Sequence, residues 1–219
     1  MKDPASVSKS AGCPDGPSVP GGPEFAREIY PIFLRLRDRR VLIVGGGEVA
    51  LQRVLHLLAT GAKITLIAPQ VRPELERFAA TGQLQLLRRE FERADVKDGY
   101  FLVIGATNHP PTQAALWEEA EKLGLLCNVV DDPQHCNYFT PAVVTRGDLK
   151  IAIGSAGQSP VLAGRLRQAM EEALPQETDK WVEVLGDLRR ELKKIFPHDM
   201  QKRKQMLDEF IAKASQPEE

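Results

Sequence analysis

Residues 41–50, VLIVGGGEVA, constrain this chain more than any other stretch. Four apolar residues in a row read as a strand buried on both faces, and the three glycines turn it into the start of a helix. Such a unit calls for a layered fold, with the helix laid back over its own strand. Gly45, Gly47 and Ala50 fall in the G-x-G-x-x-A spacing. Gly45 permits the tight turn, Gly47 lets backbone approach a pyrophosphate, and Ala50 lets helix and strand pack closely. The helix N-terminus then offers free N–H groups to the anion. A ribose-binding acid usually stands about 20 residues on, at the end of the second strand. Here that strand ends in Ala68, Pro69 and Gln70, with Arg72 nearby, so the motif leaves NAD and NADP both open. Gln70 retains the ability to bond a ribose hydroxyl.

The same rhythm continues. KITLIAP (63–69), LQLLRREF (84–91), YFLVIGAT (100–107) and LLCNVV (125–130) read as further strands, with helical segments between them. Ala50, Val54, Leu57 and Leu58 mark the inner face of the first helix, with Gly61 as its left-handed cap. Gly82 closes the second helix, and Leu116, Ala120 and Leu123 share a face of the third. Apolar strands alternating with helices predict an α/β fold, a doubly wound parallel sheet of Rossmann-like type in the order 3-2-1-4-5. After residue 138 the pattern changes. FTPAVVTRGDLKIAIGS predicts an antiparallel hairpin around an Arg-Gly-Asp turn, and SPVLAGRLRQAMEEALP a helix with Ser159 at its N-cap and Pro160 first inside. Trp181, Leu185, Leu188, Leu192 and Ile195 mark one further helix. Met206, Leu207, Phe210 and Ile211 mark another. The expected division is a loose tail over 1–25, a cofactor domain over 26–138, a small α+β dimerisation and substrate domain over 139–175, and a helical region over 176–219.

With 42% hydrophobic and 27% charged residues and a net charge of −1, the chain has no general pull toward nucleic acid or an anionic membrane. Its apolar runs fall short of the roughly 20 residues that span a bilayer, and no secretory signal opens it. Three cysteines are few and odd in number, as in a protein of the reducing cytoplasm. Cys127, His135 and Cys136 match no standard zinc spacing, so no metal site is expected.

YPIFLRLRDRRVLIVGGGEVA, ATN after the fourth strand, CNVVDDP after the fifth and GSAGQSPVLAGRLR follow one another in a fixed order. Together they resemble precorrin-2 dehydrogenase, the oxidising module of siroheme synthase, over residues 29–175. The resemblance implies NAD-dependent oxidation of precorrin-2 to sirohydrochlorin by a homodimer joined through the second domain. Some members also insert ferrous iron, and that alternative stays open. Others carry a fused methyltransferase, which a chain of 219 residues is expected to lack. Carried over by position, Glu48, Val49, Pro69 and Gln70 are cofactor contacts and Asp131 is the catalytic aspartate. Ser155, Gly157, Ser159 and Pro160 form a turn beside the tetrapyrrole. Gly45, Gly46, Gly47, Thr107 and Asn128 complete the cofactor candidates. Arg165 joins the substrate candidates, with Arg146, Lys150 and Arg167 as further cations for the substrate's carboxylates.

Ligands of a doubly wound sheet collect beyond the carboxyl ends of its strands. Gly45, Thr107 and Asp131 share that rim, with strand five about 10 Å from strand one. Asp131 is expected to take the proton, or to orient the ring, as the hydride leaves, while Asp132 caps the turn before Pro133. A nucleotide-sensing domain is the rival from another class: it would share the glycine turn but need neither Asp131 nor GSAGQSP.

Overall fold

The computed structural model describes residues 29–97 and 99–214. The chain divides into two units, Met1–Ile32 and Phe33–Glu219, and residues 29–32 of the first carry no regular element. The loose tail expected over 1–25 lies outside the described residues. All described helices and strands belong to the second unit.

Five strands, β1 (Arg40–Val44), β2 (Lys63–Ile67), β3 (Leu84–Leu87), β4 (Tyr100–Gly105) and β5 (Leu126–Val129), form a parallel sheet in the order β3-β2-β1-β4-β5. This is the expected topology. Helices α1 (Glu48–Leu58), α2 (Pro73–Ala80) and α3 (Pro110–Lys122) connect them. The two-residue period of β1 explains the layers. Val41 and Ile43 pack with Ala50, Val54 and Leu57 of α1, whereas Leu42 and Val44 pack with Leu116 and Ala120 of α3. Full burial of each such Val, Leu or Ile contributes about 1.5–3 kcal/mol. Val44 pairs with both Ile67 and Gly105, so the three central strands end level and form one rim.

Two expectations overran. The third strand stops at Leu87 rather than continuing to residue 91, because Arg89 turns out of the sheet. Its Nη1 donates to Asp95 Oδ2 at 2.7 Å, and the same carboxylate accepts from the Glu92 N–H at 2.8 Å. Leu123 lies just beyond α3 and is 43% exposed. The chain turns there through Gly124 (φ 61°), and the Leu125 N–H donates to Ala120 O, so Leu125 takes the buried place instead.

Asp95 gives a stability test. The Arg89 hydrogen bond, foremost, and the Glu92 N–H hold its carboxyl below the usual range despite burial. A depressed carboxylate stabilises the fold above its unfolded pKa and loses that effect as pH falls through the folded value. Asp95→Asn should therefore cost about 1–3 kcal/mol in urea unfolding at neutral pH. The gap from the parent should narrow once pH drops below about 4.

Beyond the main sheet, β6 (Ala142–Arg146) and β7 (Leu149–Ile153) form the expected hairpin, with Thr145 opposite Lys150. Helices α4 (Pro160–Ala173), α5 (Thr178–Ile195) and α6 (Met200–Ala214) follow. α4 packs on β6, and α5 on β7 and α6. Trp181 meets Phe210 edge-on, with centroids 6.4 Å apart. Leu192 is buried, but Ile195, expected beside it, ends α5 and is 64% exposed. Leu162, Leu166 and Met170 leave an exposed apolar stripe along α4. Among the described residues no helix is long and apolar enough to cross a membrane.

Candidate active site

The glycine turn is built by close backbone contacts. Gly45 has φ 123°, and a methyl group on it would lie 2.0 Å from Ala106 O. Its N–H donates to Ile67 O at 2.9 Å, and the Ala106 N–H donates to Val44 O at 2.7 Å, so the exits of β1, β2 and β4 are locked together. A methyl on Gly46 would lie 2.0 Å from Gln70 O, and the Arg72 N–H donates to Gly46 O at 3.0 Å. Gly46 is thus a packing glycine, a role the x position of the motif did not reveal. Gly47, the N-cap of α1, differs: nothing lies within 4 Å of where its side chain would be. That bare approach to a helix N-terminus is what a pyrophosphate needs.

A groove of about 420 Å3 runs over this turn. Gly45, Gly46, Gly47, Glu48, Val49, Pro69, Gln70 and Thr107 line it, which gathers every expected cofactor residue except Asn128. A second hollow, about 470 Å3, lies at the opposite ends of β1 and β2, beside Arg40 and Lys63. It lacks the glycine turn and the helix N-terminus that the first presents to an anion.

Asn128 turns inward, contrary to expectation. It is buried, and its Nδ2 donates to Tyr138 O at 3.1 Å and to Cys136 Sγ at 3.2 Å. Its task is to hold the returning chain. Asn137, which the sequence reading overlooked, does the same along the outer side of β5. Its side chain accepts from the Cys127 N–H (2.8 Å) and donates to Leu125 O (2.9 Å), and its N–H donates to Cys127 O (3.0 Å).

Asp131 follows β5 on the same rim as the groove, exposed and with a left-handed φ of 63°. Such backbone costs most residues about 1–2 kcal/mol, and Asp tolerates it better than most. Bonds on both sides hold it. Val130 N–H donates to Gly105 O (2.9 Å) and Asp132 N–H to Val129 O (3.3 Å). The Cys136 thiol lies 3.2 Å from both Val129 O and Asp132 O, donating to one at a time. Asp132 does not cap the turn: its Oδ2 pairs with His135 Nδ1 at 2.6 Å, and the His135 ring leans on Trp117. Burial pushes the Cys136 thiol up and the Cys127 thiol up to about 12, which disfavours the thiolate a metal requires. Among the described residues no three His, Cys, Asp or Glu side chains converge as a metal site.

In the GSAGQSP turn, Ser155 Oγ accepts from the Ser159 N–H (3.1 Å) and Ser159 Oγ caps α4 through the Leu162 N–H (3.3 Å). Ala156 and Gly157 are both left-handed, with φ 50° and 75°. The hydroxyls of both serines are thus engaged within the turn. Of the four cations, Arg146 donates to Thr145 O and Glu171 O, and Arg167 pairs with the Glu171 carboxylate. Arg165 and Lys150 are exposed and have no partner among the described residues.

The sequence profile of the putative NAD(P)-binding family matches residues 32–142, and the chain belongs to that family. Within it, the chain is similar to siroheme synthases. Siroheme synthase 1 of Aeromonas hydrophila is 39% identical over 168 residues, covering 77% of this chain and 36% of that protein. Siroheme synthase 1 of Serratia proteamaculans is 42% identical over 166 residues, covering 76% and 35% respectively. The chain thus spans little more than a third of these relatives' length. The solved structure of SirC, a precorrin-2 dehydrogenase, superposes with a TM-score of 0.70 at 29% identity, covering 84% of this chain and 89% of that one. The resemblance read from the motifs is borne out.

Proposed function

We propose that this protein is an NAD-dependent precorrin-2 dehydrogenase that forms sirohydrochlorin. The observation that carries the reading is the shared rim: the Gly47 approach and Asp131 stand beyond the ends of β1 and β5, each bonded to β4 between them, in a chain that matches SirC over most of its length. Oxidation of the macrocycle releases a hydride and a proton, and NAD held over the glycine turn would supply the hydride acceptor. Gly45 to Gly47 and the N-terminus of α1 seat the pyrophosphate, while Pro69 and Gln70 border the adenosine end. Asp131 takes the proton from the carbon skeleton, or orients the reacting ring. It is exposed in the free chain, and bound ring systems would have to cover it to exclude water.

Arg165 and Lys150 have charge to spare for the substrate's carboxylates, whereas Ser155 and Ser159 act by shaping the turn. Of the expected domains, the described residues up to 138 carry the cofactor domain, 139–175 the dimerisation and substrate domain, and 176–214 a helical extension. A second copy of the chain covers the Leu162–Leu166–Met170 stripe, and the reducing cytoplasm keeps Cys127 and Cys136 as thiols.

The test is anaerobic incubation with precorrin-2 and NAD. One NADH should appear for each sirohydrochlorin formed, and absorbance follows both. NADH binding without turnover would reject the dehydrogenase and favour a nucleotide sensor.

A further inference from the structure

The second strand ends without the acid that usually meets the adenosine ribose, yet an acid stands across the groove. Glu48 lies in the first turn of α1 and lines the groove. Both of its oxygens are held: Oε1 accepts from Gln52 Nε2 at 2.9 Å, and Oε2 meets Arg72 Nη1 at 2.8 Å. Arg72 is itself anchored to the glycine turn by its N–H bond to Gly46 O. On its other side, Arg72 Nε meets Glu74 Oε2 at 3.4 Å.

These pairs are exposed, and exposed pairs contribute little to stability. Their placement is more informative. An arginine after the second strand commonly receives the 2′-phosphate of NADP. Here two carboxylates occupy that arginine and leave the cluster with one net negative charge. A 2′-phosphate, itself carrying about two negative charges, would have to displace one carboxylate and remain beside both. A 2′-hydroxyl faces no such conflict and can donate to Glu48. The same two neighbours raise the Arg72 pKa, the Glu74 hydrogen bond first and the Glu48 charge second. The Glu74 carboxyl is lowered by its own backbone N–H first and by Arg72 second.

We propose that the Glu48–Arg72–Glu74 cluster selects NAD over NADP: Glu48 stands in for the missing strand-end acid, and the two glutamates mask Arg72 from a 2′-phosphate. The inference rests on the groove being the dinucleotide site. The experiment titrates NADH and NADPH into the full chain by nicotinamide fluorescence, with no tetrapyrrole present. Parent protein should bind NADH at least about tenfold more tightly than NADPH. Glu48→Gln combined with Glu74→Gln should move that ratio toward NADPH by about tenfold or more, and adding Arg72→Ala should cancel the NADPH gain. Glu74→Gln alone, outside the groove lining, should move it part of the way. Parent protein that binds NADH, with a ratio unmoved in the double variant, overturns the selection device alone. Parent protein that binds neither nucleotide overturns the dinucleotide reading and this inference with it.

Discussion

Asp131→Asn protein should oxidise precorrin-2 at no more than about a hundredth of the parent rate, because a positioned general base contributes about 10²–10⁴-fold. NADH affinity and melting temperature should stay close to the parent's. Asparagine is the informative replacement because Asp131 sits at φ 63°. Asn accepts left-handed backbone, so the substitution removes the carboxylate and little else. Asp131→Ala should lose the same activity and also destabilise the turn by about 1 kcal/mol. Near-parental turnover by Asp131→Asn, with NADH produced at the usual rate, would remove Asp131 from the chemistry. A loss partly restored by raising pH, as hydroxide takes over proton removal, would support the base role, and a loss unchanged by pH would point instead to an orienting one.

The second large effect separates two glycines two positions apart. In Gly45→Ala the new methyl would lie 2.0 Å from the Ala106 carbonyl oxygen, at a φ of 123° that alanine rarely adopts. The obstacle is backbone pinned to Val44, so β1 and β4 must separate. We expect a loss of about 3–5 kcal/mol, a large part of the stability of a typical domain. In Gly47→Ala the methyl enters open space. That protein should melt near the parent temperature yet bind NADH at least about tenfold more weakly, since its methyl occupies the pyrophosphate approach. Thermal melts and NADH titrations on the two variants give opposite patterns. Parental NADH affinity in Gly47→Ala would move the pyrophosphate away from this turn.

The strand order was legible because its signals are local: apolar runs, glycine exits and helical periods recur in a sequence that few topologies satisfy. The same holds for Ser159, whose cap needs only its own neighbours. What escaped depended on partners distant along the chain or on atoms that carry no letter. The third strand was overextended because Arg89 meets Asp95 six residues later, beyond any strand period. Asp132 read as a turn cap until His135 claimed its carboxylate. Asn128 read as a ligand contact because a polar residue in an apolar strand stands out, but Tyr138 O and Cys136 Sγ account for its amide N–H groups. Gly46 reads from the sequence as a cofactor contact only, because its packing constraint is a carbonyl oxygen at Gln70.

The stitching of residues 136–138 along β5 has an effect beyond holding the aspartate turn. An outermost strand with free N–H and C=O groups is a template onto which another chain can add, the usual route to sheet-mediated aggregation. Asn137 consumes those groups at Leu125 and Cys127 with its own backbone and side-chain amide, acting as a one-residue selvage. Self-association through that border is thereby closed off.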